Sequence, residues 1–131
     1  MTLDAGLDEA GIQVPDCLRN DDLRYAFVPD REHFGVYLRL TGQADCVNSF
    51  LSLNEYADVQ GGTRIADLPD RIAVKTPDWM TANLAREIGW RVDASRKLHV
   101  FRGGTPYSVG VVVQQADGVD YHAYTYGIYG L

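Results

Sequence analysis

The sequence predicts an α+β fold built on an antiparallel sheet, and three observations carry that reading. Residues 90–128 alternate as four consecutive strands joined by three short turns, the pattern of a β-meander. Residues 23–41 alternate in the same way on either side of a charged tip, as a hairpin does. Two further stretches, 45–55 and 77–88, change to helical spacing. A length of 131 residues suits one domain with one core, so 1–131 is expected to form a single α+β unit.

Taken from the N-terminus, residues 1–20 are acidic and weakly patterned. Leu3 and Leu7 fit one face of a short helix, Gly6, Gly11 and Pro15 argue against a long one, and fraying is expected here. Leu23 to Val28 reads as a strand, and Pro29 to His33 as a charged loop with His33 solvated on it. Phe34 to Thr41 is a second strand, with Val36, Leu38 and Leu40 on one side and Tyr37, Arg39 and Thr41 on the other. After Gly42, a helix over 45–55 aligns Cys46, Val47, Phe50, Leu51 and Asn54, a stripe expected to pack on the hairpin. Residues 57–75 are irregular, with a short edge strand near Arg71 to Val74. Thr76-Pro77-Asp78 starts the second helix: a capping hydroxyl, a proline suited to the first turn and a carboxylate at the positive end of the dipole. Met80, Leu84 and Ile88 recur along it and Gly89 ends it. This helix is expected to cover the valine side of the meander.

The meander's turns set its expected register. A turn at Gln115-Ala116-Asp117-Gly118, with Gly118 at positive φ, places Val113 opposite Tyr121, Val111 opposite Ala123 and Gly110 opposite Tyr124. Pairing Arg102 with Tyr107 places Val100 opposite Val109 and His99 opposite Gly110, and pairing Asp93 with Lys97 places Trp90 opposite Val100. One face then gathers Trp90, Val92, Leu98, Val100, Val109, Val111, Val113, Tyr121 and Ala123, a core face. The other gathers Arg91, Asp93, Lys97, His99, Phe101, Ser108, Gln114, Asp120, His122, Tyr124 and Tyr126.

Composition narrows the function classes. The formal charge is −6, and residues 1–60 hold 4 Lys and Arg against 11 Asp and Glu. That balance argues against nucleic acid or an anionic membrane, which need concentrated positive charge. The complement of an acidic half is a basic protein, although acidity alone also serves solubility. The N-terminus lacks the pattern of a secretory signal and no stretch reaches transmembrane length. The two cysteines, Cys17 and Cys46, form no metal-ligand spacing and are expected as free thiols in a cytoplasmic protein.

No local catalytic, dinucleotide, phosphate-loop or metal motif is present in the sequence, so neither a cofactor nor a metal is expected. What remains is the second face of the meander. There His99, Tyr124, His122 and Arg91 are the candidate catalytic groups: histidine to move protons, tyrosine to stabilise an oxyanion, arginine to hold a carboxylate. Tyr126, Phe101, Gly110 and Lys97 are candidate binding groups, with Gly110 leaving a gap in the side-chain layer that a cross-strand ring or a ligand can fill. Asp120 falls at the turn, where alternation is least regular, and is left out of this set. An antiparallel sheet also carries such residues on an ordinary wet face, and the hairpin is an alternative cover for it.

Three functions compete. The first is a small acidic protein-binding or inhibitory module, of the antagonist or immunity type. The second is a cofactor-free enzyme doing acid/base chemistry on a small carbonyl or carboxylate compound at the His/Tyr/Arg face. The third is a subunit of an assembly, with the tyrosine-rich run Tyr121 to Tyr129 as an exposed edge strand.

Overall fold

The hairpin expected in the N-terminal half does not sit over the sheet but extends it edge to edge. In the computed structural model, which describes residues 2–30, 33–58, 82–91, 98–103, 108–116 and 118–130, all strands join one antiparallel sheet. The strands are β1 (Arg24–Asp30), β2 (His33–Gln43), β3 (Ala57–Asp58), β4 (Leu98–Gly103), β5 (Ser108–Gln115) and β6 (Asp120–Gly130). Their spatial order is β1-β2-β6-β5-β4-β3. The helices are α1 (Leu3–Ala10), α2 (Ala44–Leu53) and α3 (Ala82–Glu87), with a short 3-10 turn at Asp16–Leu18. The class is α+β, as the alternation and periodicity require.

The N-terminal segment, where fraying was expected, forms α1 and the 3-10 turn. The Thr2 hydroxyl accepts from the Ala5 N–H at 3.2 Å, capping α1. Leu7, Ala10, Ile12, Val14 and Leu18 are all buried in the main core. Asn54, just past α2, then ties this segment down: its side chain accepts from the Gln13 N–H at 2.8 Å and donates to the Gln13 carbonyl at 2.7 Å. Burying these side chains and pairing this backbone offsets the ordering entropy that the acidic composition suggested would win.

The cysteines are also not free. Cys17, in the 3-10 turn, and Cys46, in the first turn of α2, form a disulfide with Cα atoms 6.1 Å apart. It joins two pieces of the same helical layer. That layer, α1, the 3-10 turn and α2, covers the sheet face that carries Val36, Leu38, Leu40, Val109, Val111, Val113 and Ala123. Val47, Phe50 and Leu51 of α2 supply the other half of this core, so the predicted stripe packs where expected.

Three corrections concern the C-terminal ribbon. Among the described residues it is a meander of three strands, because Trp90 and Arg91 lie outside any strand and β4 takes β3 as its second neighbour. The strand expected at 90–93 and its turn otherwise fall on residues outside those described, as do the edge strand near 71–74 and the start of the second helix. The β5–β6 register is Val113↔Ala123, Val111↔Thr125 and Gly110↔Tyr126, displaced by two residues from expectation. The turn closes one residue later, with the Ala116 N–H donating to the Asp120 carbonyl at 2.8 Å, and Gly118 has the expected positive φ of 69°. An even slip leaves every side chain on its face.

The β4–β5 register differs by an odd number, and this one matters. Phe101 lies opposite Val111, His99 opposite Val113 and Val100 opposite Val112. The faces of β4 are therefore exchanged: His99 and Phe101 join the valine row, and Leu98 and Val100 lie on the other side. The physical reason is burial. This register puts the Phe101 ring at 0 % exposure in the main core and leaves Arg102 in water. It is tolerable because the second face is covered too: Ile88 and Trp90, at the end of α3, pack there on Tyr37, Leu98, Val100, Val112 and Tyr124. The helix end thus covers the face opposite the one predicted. β6, between β2 and β5, is an interior strand, so the tyrosine-rich run cannot serve as an exposed edge.

Candidate functional site

The second face is laid out by the pairing of β2 with β6 and β6 with β5. Residues directly opposite share a face, so three rows cross the sheet: Thr41, His122, Gln114; Arg39, Tyr124, Val112; and Tyr37, Tyr126, Gly110. The first row is polar throughout. Thr41 and Gln114 are buried and His122 is half-buried. The Thr41 hydroxyl and His122 Nδ1 share a hydrogen bond of 2.8 Å, whose direction follows the imidazole tautomer.

Trp90 closes the other two rows from above. It can do so because Gly89, two residues past α3, has a φ of 67° that reverses the chain, and the Trp90 N–H then returns to the Ala85 carbonyl at 2.7 Å. A side chain at Gly89 would also run into the Arg39 guanidinium. The Trp90 ring packs at 5.2 Å from the Tyr124 ring and 5.9 Å from the Tyr126 ring, and His122 lies 5.5 Å from Tyr124. Arg39 donates to the Asp22 carbonyl at 3.1 Å, which fixes it between the start of the hairpin and the end of α3.

Tyr124 is the chemically distinctive member. Burial raises its pKa, while the positive charges of Arg39 and Arg91 and a hydrogen bond from the Arg91 backbone oppose that shift. It stays a neutral phenol at physiological pH, held beside two guanidinium groups. Arg91 is exposed and meets the site through this backbone bond. Among the described residues the Trp90 indole N–H and Arg39 Nε are buried without a hydrogen-bond partner. Also among the described residues, no cluster of His, Cys, Asp and Glu could hold a metal ion.

No family model, curated protein or solved structure matches the chain. The site must be judged on its own geometry.

Of the candidate residues, Tyr124, His122, Tyr126, Gly110 and Arg91 come together on or beside one face. His99 and Phe101 do not: both belong to the opposite face, so the expected placement of His99 and Tyr124 on one face, either side of Gly110, is not found. Lys97 lies outside the described residues. Gly110 has Tyr126 opposite it rather than Tyr124, and a Cβ there would lie 2.6 Å from Tyr126 Cζ. The cross-strand ring, not a ligand, occupies that gap. Thr41, Arg39 and Tyr37 were not predicted in the site. Their alternation along the second strand was legible, but only the β2–β6 pairing brings that strand beside His122 and Tyr124.

Proposed function

We propose that the chain is a small acidic protein-binding module of the antagonist or immunity type, meeting a basic protein through its helical layer. The observation that supports this is the placement of charge. Asp4, Asp8 and Glu9 of α1, Asp16 of the 3-10 turn, Asp21 and Asp22 after it, Asp45 of α2 and Glu55 beyond it are all exposed. Arg19, on the same layer, is already bound to Asp4 at 2.7 Å. A surface of one sign accelerates encounter with an oppositely charged partner and repels like-charged ones. With the purified partner, reversing Asp21 and Asp22 to lysine slows association by about tenfold and flattens its dependence on salt. An association rate unchanged by these substitutions removes the helical layer from the interface.

A second reading, a cofactor-free acid/base enzyme, draws support from the Thr41–His122 hydrogen bond beside the neutral Tyr124 phenol. It now rests on His122, Tyr124 and Arg91 without His99. Turnover of a small carbonyl or carboxylate compound that survives His122→Asn in a folded chain eliminates it.

The expected cytoplasmic location rested on the lack of a secretory pattern, with free thiols as its consequence; the Cys17–Cys46 bond speaks against that consequence, since such bonds persist in oxidising compartments. Among the described residues no helix is long and apolar enough to cross a membrane. The proposed interaction is independent of compartment. Labelling the cysteines in intact cells with a membrane-permeant maleimide, before and after reduction, distinguishes the two locations.

A further inference from the structure

The end strand β1 reads as its own partner. Among the described residues it is the first strand of the sheet order, and it carries two of the exposed large apolar side chains, Tyr25 at 42 % and Val28 at 37 %. A strand at the end of a sheet is a template for another strand, and proteins that stay monomeric usually blunt it with bulges, a covering loop, or charged side chains and proline on the edge. β1 pairs without a bulge against β2 from Arg24↔Arg39 to Asp30↔His33, and it carries two charges and a proline, which deter an unmatched strand but not one that complements them.

Its sequence, Arg24-Tyr25-Ala26-Phe27-Val28-Pro29-Asp30, is complementary to itself when reversed. Run antiparallel to a second copy with Phe27 on the two-fold axis, Arg24 falls opposite Asp30 of the other copy, Tyr25 opposite Pro29 and Ala26 opposite Val28. Both ends then match opposite charges, and every position between them matches apolar with apolar. The two-fold relation repeats each match on the other side of the axis.

Backbone geometry agrees with the same register. Successive residues of a strand direct their N–H and C=O groups to alternate sides. β1 and β2 meet at Asp30↔His33, with two residues between them, and a hairpin of that length closes on a pair bonded to each other. Even-numbered residues of β1 therefore bond to β2, and Tyr25 and Pro29 turn their backbone groups outward. Pro29 has no N–H to donate, which suits an outward position on an end strand. In the paired register its carbonyl accepts from the Tyr25 N–H of the other copy, so the proline leaves no donor unmatched.

We infer that β1 is a homodimerisation edge: two copies join antiparallel through Arg24–Asp30, making one continuous sheet of both chains. A different protein adding a strand here would have no reason to match a palindrome of charge. The surface is distinct from the acidic helical layer, so either can fail without the other.

Sedimentation equilibrium of the full chain across the micromolar to millimolar range provides the test. Wild type shows a concentration-dependent dimer. Arg24→Glu and Asp30→Arg, each placing two like-charged pairs at the seam, weaken it by about tenfold or more, and the double variant Arg24→Glu/Asp30→Arg restores it. Tyr25→Pro, which removes an outward donor without touching the β2 ladder, abolishes the dimer while far-ultraviolet circular dichroism stays native. A wild type monomeric throughout overturns the inference. So does a dimer indifferent to the single reversals, or one that the double variant fails to recover.

Discussion

The ring of Tyr126 lies over Gly110, its cross-strand neighbour, so closely that a Cβ on Gly110 would stand 2.6 Å from Cζ and 2.7 Å from the hydroxyl oxygen. The ring is not free to retreat, because Trp90 packs on its other contacts at 5.9 Å. Gly110→Ala is therefore expected to destabilise the fold by about 1–3 kcal/mol, the usual cost of overpacking. Urea denaturation measures it, and in a Tyr126→Ala background the same substitution should cost far less. Equal costs in both backgrounds would show that the ring and the glycine are not coupled.

The orientation of β4 makes a second prediction. Phe101 is fully buried in the main core and Arg102 is exposed beside it. Phe101→Ala should cost about 3–5 kcal/mol, whereas Arg102→Ala should stay within about 0.5 kcal/mol of wild type. Denaturation midpoints of the two variants decide it. The opposite ranking would restore the register that sets His99 beside Tyr124.

Stability should fall in alkali. Burial pushes the Tyr37 phenol up from 10.0 to about 12, and burial raises Tyr56 and Tyr124 as well. The native state keeps these protons where the unfolded chain releases them, so unfolding loses protons and stability declines as pH rises. The contribution is complete below pH 10 and is lost progressively between 10.0 and about 12 for Tyr37. Unfolding followed by circular dichroism at stepped pH, beside phenolate absorbance, reads both. Absorbance that reaches the full complement of eight tyrosines before structure is lost would place these phenols in water.

The Cys17–Cys46 bond closes a loop of sequence separation 29. By chain-entropy arithmetic a loop of that size contributes about 3–4 kcal/mol. Adding reductant, or making Cys17→Ser/Cys46→Ser, should lower the urea midpoint accordingly. An unchanged midpoint in reductant would mean that the helical layer holds without the crosslink.

The residues show why some of this was legible and some was not. Alternation assigned Val36, Leu38 and Leu40 against Tyr37, Arg39 and Thr41 correctly, because a strand's period of two is local. The β5–β6 turn was misplaced by one residue, yet the valine row kept its company, since the slip was even. The β4–β5 turn lacked that protection. Its glycines allow several closures, and the choice fell to whether Leu98 and Val100 or His99 and Phe101 joined the valine row, where Phe101 shares a core with α2 and Tyr56, elements far away in sequence. Asn54 was legible as part of a helical stripe, but its bonds to Gln13 were not, and they are what hold the N-terminal segment down.

From its own pattern the chain determined its class, its hairpin, the position of α2 and the inward valines, all of which depend on spacing within a few residues. The tertiary structure alone decided that both faces of the sheet are covered, that β6 lies between β2 and β5, and that His99 parts from Tyr124. Pairing between distant strands is set by what each register buries, and a one-residue difference in that balance turns a side chain to the other side of the sheet.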